Sequence, residues 1–259
     1  MLKQSEGAAI WSRALVVRSR RDLTSVEKEA LRHLPFRNKS LSAGEVFARE
    51  GDAPRYCAYV VAGTLSQTKL TRSGSRQIIG LRLPNEFVGV MGLFLREADH
   101  DVQALTPCHL VEVDLVSLRN LLDAHPPLRE LMAADAMVAA SIAQEWMINI
   151  GRRDARQRVA HFLCELALRL EGTMLKSGAS YELPLRQEQI ADAVGLHRVA
   201  VNRMVRGLSA EGLIAARKNT ITIVDAPKLE EVADFSARYL HLGQSVGDRR
   251  KRERMPLAA

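Results

Sequence analysis

The stretch Leu183–Val224, LPLRQEQIADAVGLHRVAVNRMVRGLSAEGLIAARKNTITIV, constrains the fold more than any other part of the chain. Ile190, Ala193 and Val194 form an apolar stripe at helical spacing, and Gly195 then breaks the pattern. A tight turn between helices needs a residue there that tolerates positive φ. Val201, Met204, Val205 and Leu208 resume the helical period and supply a face to pack on the first helix. Glu211-Gly212-Leu213-Ile214 leads into two short β-type runs. Helix, glycine turn, helix and hairpin in this order define a winged helix-turn-helix.

The outer face of the second helix carries Arg198, Asn202, Arg203 and Arg206 and no acid. Residues three and four apart project from one side of a helix. Arginine and asparagine so placed suit base edges and phosphates in a major groove. A solvated basic face on an ordinary helical subdomain would carry the same charges. The glycine turn and the hairpin, in fixed order around that face, weigh toward DNA.

At 259 residues the chain fits two modest domains and a connector. Its formal net charge of +7 favours polyanionic partners. Aromatic residues make up only 5%, a poor supply of stacking platforms for single strands. Cys57, Cys108 and Cys164 lie far apart with no CxxC, so neither a disulfide framework nor a zinc knuckle is indicated. Each sits among apolar residues and is expected to be a buried free thiol. No apolar run approaches the roughly 18 residues that span a bilayer, and the N-terminus lacks a signal-peptide pattern. A cytoplasmic location with no membrane partner is expected. No nucleophile–base pair or metal-spaced cluster appears, so no enzyme is expected.

Residues 1–21 are weakly patterned and read as a partly disordered segment or a loose helix. Leu23–Leu34 suits a short helix. From about Lys39 the texture changes to short β-type runs punctuated by Gly44, Gly51, Gly63, Gly74, Gly80, Gly89 and Gly92. The spacing, roughly eight to twelve residues, is that of a compact antiparallel roll or barrel. Ala104–Val113 supplies a last strand pair and Leu115–Leu122 a short helix. His125-Pro126-Pro127 opens a helix, since proline is tolerated in a first turn. No proline or glycine then intervenes until Gly151, which gives a helix longer than about 30 Å. Leu128, Met132, Ala139, Ile142 and Trp146 follow a 4-3-4-3 frame, with Asp135 in one slot, and are read as a dimerisation seam. The alternative is that this face packs on the chain's own β-roll. Ala155–Leu170 is the next helix. The arginine-rich tail from Gln244 is expected to be disordered.

The segments AGEVFAREGD (43–52), YVVAGTLSQT (59–68) and FVGVMGLF (87–94), followed by the helix-turn-helix, resemble the Crp/Fnr superfamily of bacterial transcription regulators. GRRDARQRVAHFL (151–163) and the pattern GLxxxxVNRxxxxLxxEGLI (195–214) are similar to its FixK-like and related subgroups. The resemblance runs from about Arg37 to Asp225. It implies an α+β fold: a cyclic-nucleotide-binding-type β-roll over residues 22–124, a long dimerisation helix over 125–151, a winged helix-turn-helix DNA-binding domain over 152–239, and a basic tail over 240–259. It implies a homodimer on a pseudo-palindromic operator of double-stranded DNA, working with RNA polymerase. The DNA-contacting set read this way is Arg186, His197, Arg198, Val199, Asn202, Arg203, Arg206, Arg217 and Lys218. Arg198 and Arg203 are candidates for guanine and Asn202 for adenine or a phosphate, with Arg206, Arg217 and Lys218 on phosphates. Many relatives carry Glu at the position of Val199, which cannot accept from cytosine but can meet a thymine methyl. Arg186 stands where relatives carry Thr at the start of the first helix, and suits a phosphate better than a cap.

Nucleotide-binding relatives place Glu, Arg and Ser where this chain has Val90, His100 and Asp101, so cyclic AMP or GMP is not expected as a ligand. Three cysteines, none before Cys57, do not supply the four thiolates of an iron–sulfur sensor. His100 or His109 as a haem ligand, and a redox role for Cys57 or Cys164, are weaker readings, and no cofactor is expected. A regulatory module gated by a ligand and acting on a protein partner is the rival from another class.

Overall fold

The computed structural model describes residues 4–19, 21–171 and 175–242. The arginine-rich stretch from Gln244 lies outside the described residues. Two helices come first, α1 (Gln4–Ser19) and α2 (Ser25–Arg32). Eight strands follow: β1 (Arg37–Leu41), β2 (Val46–Ala48), β3 (Tyr56–Ala62), β4 (Leu65–Leu70), β5 (Arg76–Arg82), β6 (Phe87–Val88), β7 (Asp101–Ala104) and β8 (Cys108–Asp114). They form two antiparallel four-stranded sheets, ordered β1-β8-β3-β6 and β2-β7-β4-β5. Sequence-distant strands are thus neighbours, as a roll requires. Gly89 lies at φ 81, and a Cβ there would sit 2.4 Å from the Tyr56 carbonyl oxygen. Glycine alone fits that close crossing.

The helices α3 (Leu115–Ala124), α4 (Pro126–Arg152) and α5 (Ala155–Glu171) lead away from the roll. Asp114 caps α3 by accepting from the Ser117 N–H at 2.8 Å. The second domain adds β9 (Ser180–Glu182), α6 (Gln187–Val194), α7 (Arg198–Ala210), β10 (Ile214–Arg217), β11 (Thr220–Ile223) and α8 (Ala226–Ala233). Its three strands form a sheet ordered β10-β11-β9. Among the described residues no helix is long and apolar enough to cross a membrane.

Buried side chains fall into three clusters. One joins α1, α2, α3 and the start of α4 to one face of the roll and contains Cys57. A second lies between the two sheets and contains Cys108. The third fills the C-terminal domain, reaches β5 and the end of α4, and contains Cys164.

Two expectations need correction. Gln4–Ser19, expected as part of a partly disordered segment or a loose helix, is a helix built into the core. Trp11 is fully buried, packs against Phe36 and Phe87 with ring centroids 5.4 and 5.0 Å away, and donates from Nε1 to the Val111 carbonyl at 2.9 Å. Its stripe is Ala8, Trp11, Ala14 and Leu15. Two of those four are alanines, so the apolar period is faint in the sequence.

The second correction concerns α4. Leu128 and Met132 are buried in the core shared with the roll, and Ile142 and Trp146 in the core of the C-terminal domain. Ala139 lies between them on the wall of a cavity described below. The 4-3-4-3 stripe is real, but it faces the chain's own two domains. The exposed side of α4 lies about half a turn away and carries Met137, Gln144, Met147 and Ile148.

Replacing Trp11 by alanine removes a buried indole and its hydrogen bond and is expected to cost about 3–5 kcal/mol, read by urea unfolding. A loss below about 0.5 kcal/mol, the size of an ordinary surface change, would place α1 outside the cooperative core.

Candidate nucleic-acid interface

The reading head is built by α6 and α7. Ile190, Ala191, Ala193 and Val194 of α6 are buried against Val201, Val205 and Leu208 of α7. Between them Gly195 adopts φ 64, the left-handed turn expected from the sequence. Arg158 of α5 braces that turn, donating to the Gly195 and Val194 carbonyls at 3.3 and 3.5 Å. The α6 N-terminus is closed by Gln189, whose Oε1 accepts from the Arg186 backbone N–H at 2.8 Å. The Arg186 guanidinium has no acceptor atom and does not cap, which leaves it exposed beside the positive end of the helix.

All nine residues of the proposed DNA-contacting set are exposed. Arg198, Val199, Asn202, Arg203 and Arg206 occupy one face of α7, opposite its buried stripe. Arg217 ends β10, and Lys218 turns the wing hairpin at φ 51. His197 precedes the first turn of α7 and makes no side-chain cap. One participant was missed in the sequence. Glu188 of α6 lies 3.3 Å from the Arg198 guanidinium, both well exposed. It holds Arg198 at the helix entrance. The contact joins two elements, so reading α7 alone does not reveal it.

Two tethers fix this head to the roll. At the first, Arg76 of β5 bonds Asp192 of α6 at 2.7 Å, and the Gln77 amide donates to the Asp192 and Ala193 carbonyls at 2.6 and 3.3 Å. The roll thereby satisfies carbonyls that the end of α6 leaves open. The second tether is buried. Arg169 of α5 donates to Glu86 Oε1 and Oε2 at 3.1 and 2.9 Å, to Glu165 Oε1 at 2.7 Å and to the Leu81 carbonyl at 2.8 Å. Burial disfavours its charge, but the two carboxylates outweigh that and hold its pKa above the ordinary value. Glu165 Oε2 accepts in turn from Trp146 Nε1 at 2.9 Å and the Tyr239 hydroxyl at 2.8 Å.

A histidine occupies the joint between α4 and α5. His161 is fully buried, with ring centroids of Phe235 and Tyr239 at 5.0 and 5.8 Å. Its Nε2 lies 3.3 Å from Glu145 Oε1, but that oxygen already takes a 2.7 Å bond from Arg153. Burial and the Arg153 charge push the His161 pKa down to about 3.

Between the roll and α4 lies a cavity of about 730 Å³. Val90 and His100, two of the three positions singled out in the sequence, line it. His100 is buried, with Nδ1 2.6 Å from Asp99 and Nε2 2.6 Å from the Gln67 amide, so both ring nitrogens are engaged. Asp101 is not on the wall; it accepts from the Glu50 backbone N–H at 2.8 Å. The carboxylates on the wall are Asp52, Asp99 and Asp135, with Arg55 and Arg82. His109 lies off the cavity, 3.0 Å from Asn38 on β1. The three cysteines sit in three separate clusters, and burial raises all three thiol pKa values.

A roll with a cavity against a long helix, joined by that helix to a winged helix-turn-helix with a basic face, defines a DNA-binding regulator. Residues 38–125 match the cyclic nucleotide-binding domain and residues 157–232 the Crp-like helix-turn-helix domain. The chain is 30% identical over 203 residues to the transcriptional activator protein FnrL of Cereibacter sphaeroides, covering 76% of this chain and 81% of that one. It is 30% identical over 215 residues to the nitrogen fixation regulation protein FixK of Bradyrhizobium diazoefficiens, covering 82% and 87%. The structure of FixK2 from Bradyrhizobium japonicum superposes with a TM-score of 0.72 at 23% identity, over 79% of this chain and all of that one. The chain belongs to the Crp/Fnr family of transcription regulators, which bind DNA and are not enzymes.

His161 sets an acid limit on the joint. Its pKa falls from an ordinary 6.5 to about 3 on folding. The unfolded chain therefore binds the extra proton between these values. The stability this histidine contributes is present above about pH 6.5 and is lost as pH falls toward 3, by at most about 1.4 kcal/mol per pH unit. His161→Phe is expected to flatten that slope in denaturant titrations across the window. An unchanged slope would mean that the ring takes up its proton in the folded state as readily as in the unfolded one.

Proposed function

We propose that the chain acts as a homodimer in the cytoplasm, binds a pseudo-palindromic operator through its two α7 helices, and works through RNA polymerase. The observation that carries this reading is the exposed face of α7, where three arginines and one asparagine stand together without an acid of that helix among them. In a two-fold dimer the two helices enter successive major grooves about 34 Å apart. Arg198 and Arg203 read guanine, Asn202 reads adenine or holds a phosphate, and Arg186, His197, Arg206, Arg217 and Lys218 hold the backbone.

The dimer seam moves to the exposed side of α4. Met137, Ser141, Gln144 and Ile148 follow a 4-3-4 frame, and Met137 and Ile148 are exposed apolar side chains with no core of their own chain to enter. The operator is bound without a cyclic nucleotide. Val90 offers no hydrogen bond to a ribose or phosphate, His100 is committed to Asp99 and Gln67, and three carboxylates stand on the wall. A cyclic phosphate would lose its water there and meet Asp52, Asp99 and Asp135 alongside Arg55 and Arg82, without the Glu, Arg and Ser that nucleotide-binding relatives supply. The cavity also supports a second reading, gating by another ligand. Its mixed charges, three carboxylates and two arginines, and the alanines Ala136, Ala139, Ala140 and Ala143 suit an organic molecule with polar groups and little net charge.

The test is nucleotide-free binding to a duplex selected from a random library. Arg203→Ala is expected to cost about 1–3 kcal/mol on the cognate site and to relax one base pair. Arg206→Ala weakens cognate and random duplexes alike and lowers the salt slope by about one. An Arg203→Ala protein with intact affinity and specificity would remove α7 from its role. Operator affinity that appears only with micromolar cyclic AMP or GMP would restore a nucleotide-gated reading.

Met137→Asp combined with Ile148→Asp places two charges in each chain's half of the seam, where burial without a partner is costly. Sedimentation velocity is expected to show monomers that no longer hold the operator. A double variant that sediments as a dimer would move the seam elsewhere.

A further inference from the structure

The match to the helix-turn-helix domain ends at residue 232, but the chain goes on and returns to the joint between α4 and α5. That joint is narrow. Arg153, with extended backbone, closes α4, and α5 starts at Ala155. Arg158 holds the joint from within, donating to the Arg153 carbonyl at 2.9 Å. Residues 234–242 hold it from outside. Asp234, in the left-handed conformation at φ 47, turns the chain at the end of α8. Its carbonyl accepts from the Arg153 guanidinium at 3.1 Å, and that guanidinium also donates to Glu145 of α4 at 2.7 Å. Phe235 meets the His161 ring edge-on at 5.0 Å, and Tyr239 stacks on it at 5.8 Å. The Tyr239 hydroxyl donates to Glu165 of α5 at 2.8 Å. Leu240 is buried in the core that holds Ile142 and Trp146 of α4. The segment thus grips the last turns of one helix and the first half of the next.

Helix α7 packs on α5 and moves with it. Packed helix axes are about 8–10 Å apart, so with its side chains the reading face stands roughly 15 Å out from α5. A swing of about 10° at the joint moves each face by roughly 2.5 Å and a two-fold pair by about 5 Å, more than the base-pair step of about 3.4 Å. The joint angle therefore decides which half-site spacing both heads can meet at once. Hydrogen bonds and ring contacts are directional, and a segment that makes them to both helices permits one angle. We propose that residues 234–242 form a strap in which Phe235 and Tyr239 are positioning residues: they fix the α4–α5 joint and so set the half-site spacing that the protein accepts. They act through Arg153, His161 and Glu165 and touch no DNA. This rests on the reading of the chain as a dimer with α7 in the groove.

The experiment uses the full chain and the duplex it selects from a random library, with the two half-sites then moved apart or together by one base pair. Wild type is expected to lose about tenfold in affinity at the altered spacings, the worth of one good base contact. Phe235→Leu combined with Tyr239→Leu keeps an apolar filling and removes the ring contacts and the bond to Glu165. It is expected to bind the altered spacings to within about threefold of the selected one. Its affinity for a duplex with a single half-site is expected to stay at the wild-type value, because α7 is untouched. Tyr239→Phe keeps the ring and gives up only the hydroxyl, and so serves where the double variant does not fold. It is expected to bring the spacing penalty down to about fourfold, one hydrogen bond being worth a factor of roughly two to ten. Either variant that is folded and keeps the full penalty overturns the proposal. So does a loss on the single half-site as large as the loss on the paired one, which would make the strap a stabilising element of the head alone. A wild-type chain that selects no paired half-sites fails at the earlier step and overturns the dimer reading together with this one.

Discussion

Arg169 brings a full positive charge into the interior and is neutralised there by carboxylates from two distant parts of the chain. Glu165 is one turn away on the same helix, but Glu86 belongs to the roll and is itself pinned by the Leu83 backbone N–H at 3.1 Å. A buried ion pair adds little net stability over an apolar filling. Breaking one by removing a partner strands a charge at a cost of about 3–5 kcal/mol. Such a contact contributes one permitted geometry more than it contributes strength. Here that geometry is the placement of α5 against the roll, and α5 carries the arginine that braces the helix-turn-helix. Leu81 and Phe87, on either side of the contact, also line the cavity. The wall of the cavity and the seat of the reading head therefore meet at the Arg169 contact.

The tether at Gln77 works by a different principle. Helix α6 ends with open carbonyls, and the amide that fills them comes from Gln77 in the roll. The roll thus completes an element of the DNA-binding domain that would otherwise need water there. One link is ionic and buried, the other largely backbone-directed and half-exposed. Together they span the head at α5 and at α6.

Local patterns were legible in the sequence, and long-range choices were not. The period of α6 and α7, the left-handed Gly195 and the exposure of the basic face all follow from residues within about 20 positions of one another, as do the glycine-punctuated strands. The face chosen by α4 was not legible, because that helix is apolar on two sides. Leu128, Met132, Ile142 and Trp146 outweigh Met137 and Ile148 in a hydropathy reading, and nothing local says which stripe meets the chain's own domains. Helix α1 was read only as a loose helix or partly disordered segment, because two of its four buried stripe residues, Ala8 and Ala14, are alanines. Glu86 and Arg169 are 83 positions apart, and Glu188 and Arg198 lie on different helices. No period reveals such pairs. The cavity was read position by position, which placed Val90 and His100 on its wall but put Asp101 there in place of Asp99.

The three cysteines fall one to a hydrophobic cluster: Cys57 with the Trp11 core, Cys108 between the sheets, Cys164 beneath the reading head. Burial keeps each as a protonated thiol, which reacts slowly with alkylating or disulfide reagents. A thiol shielded in this way reacts only when the structure around it opens, and its rate then measures the free energy of that opening. The chain thus contains three native reporters, one per core. Their labelling rates, taken residue by residue, would rank the parts of the molecule by how often they breathe.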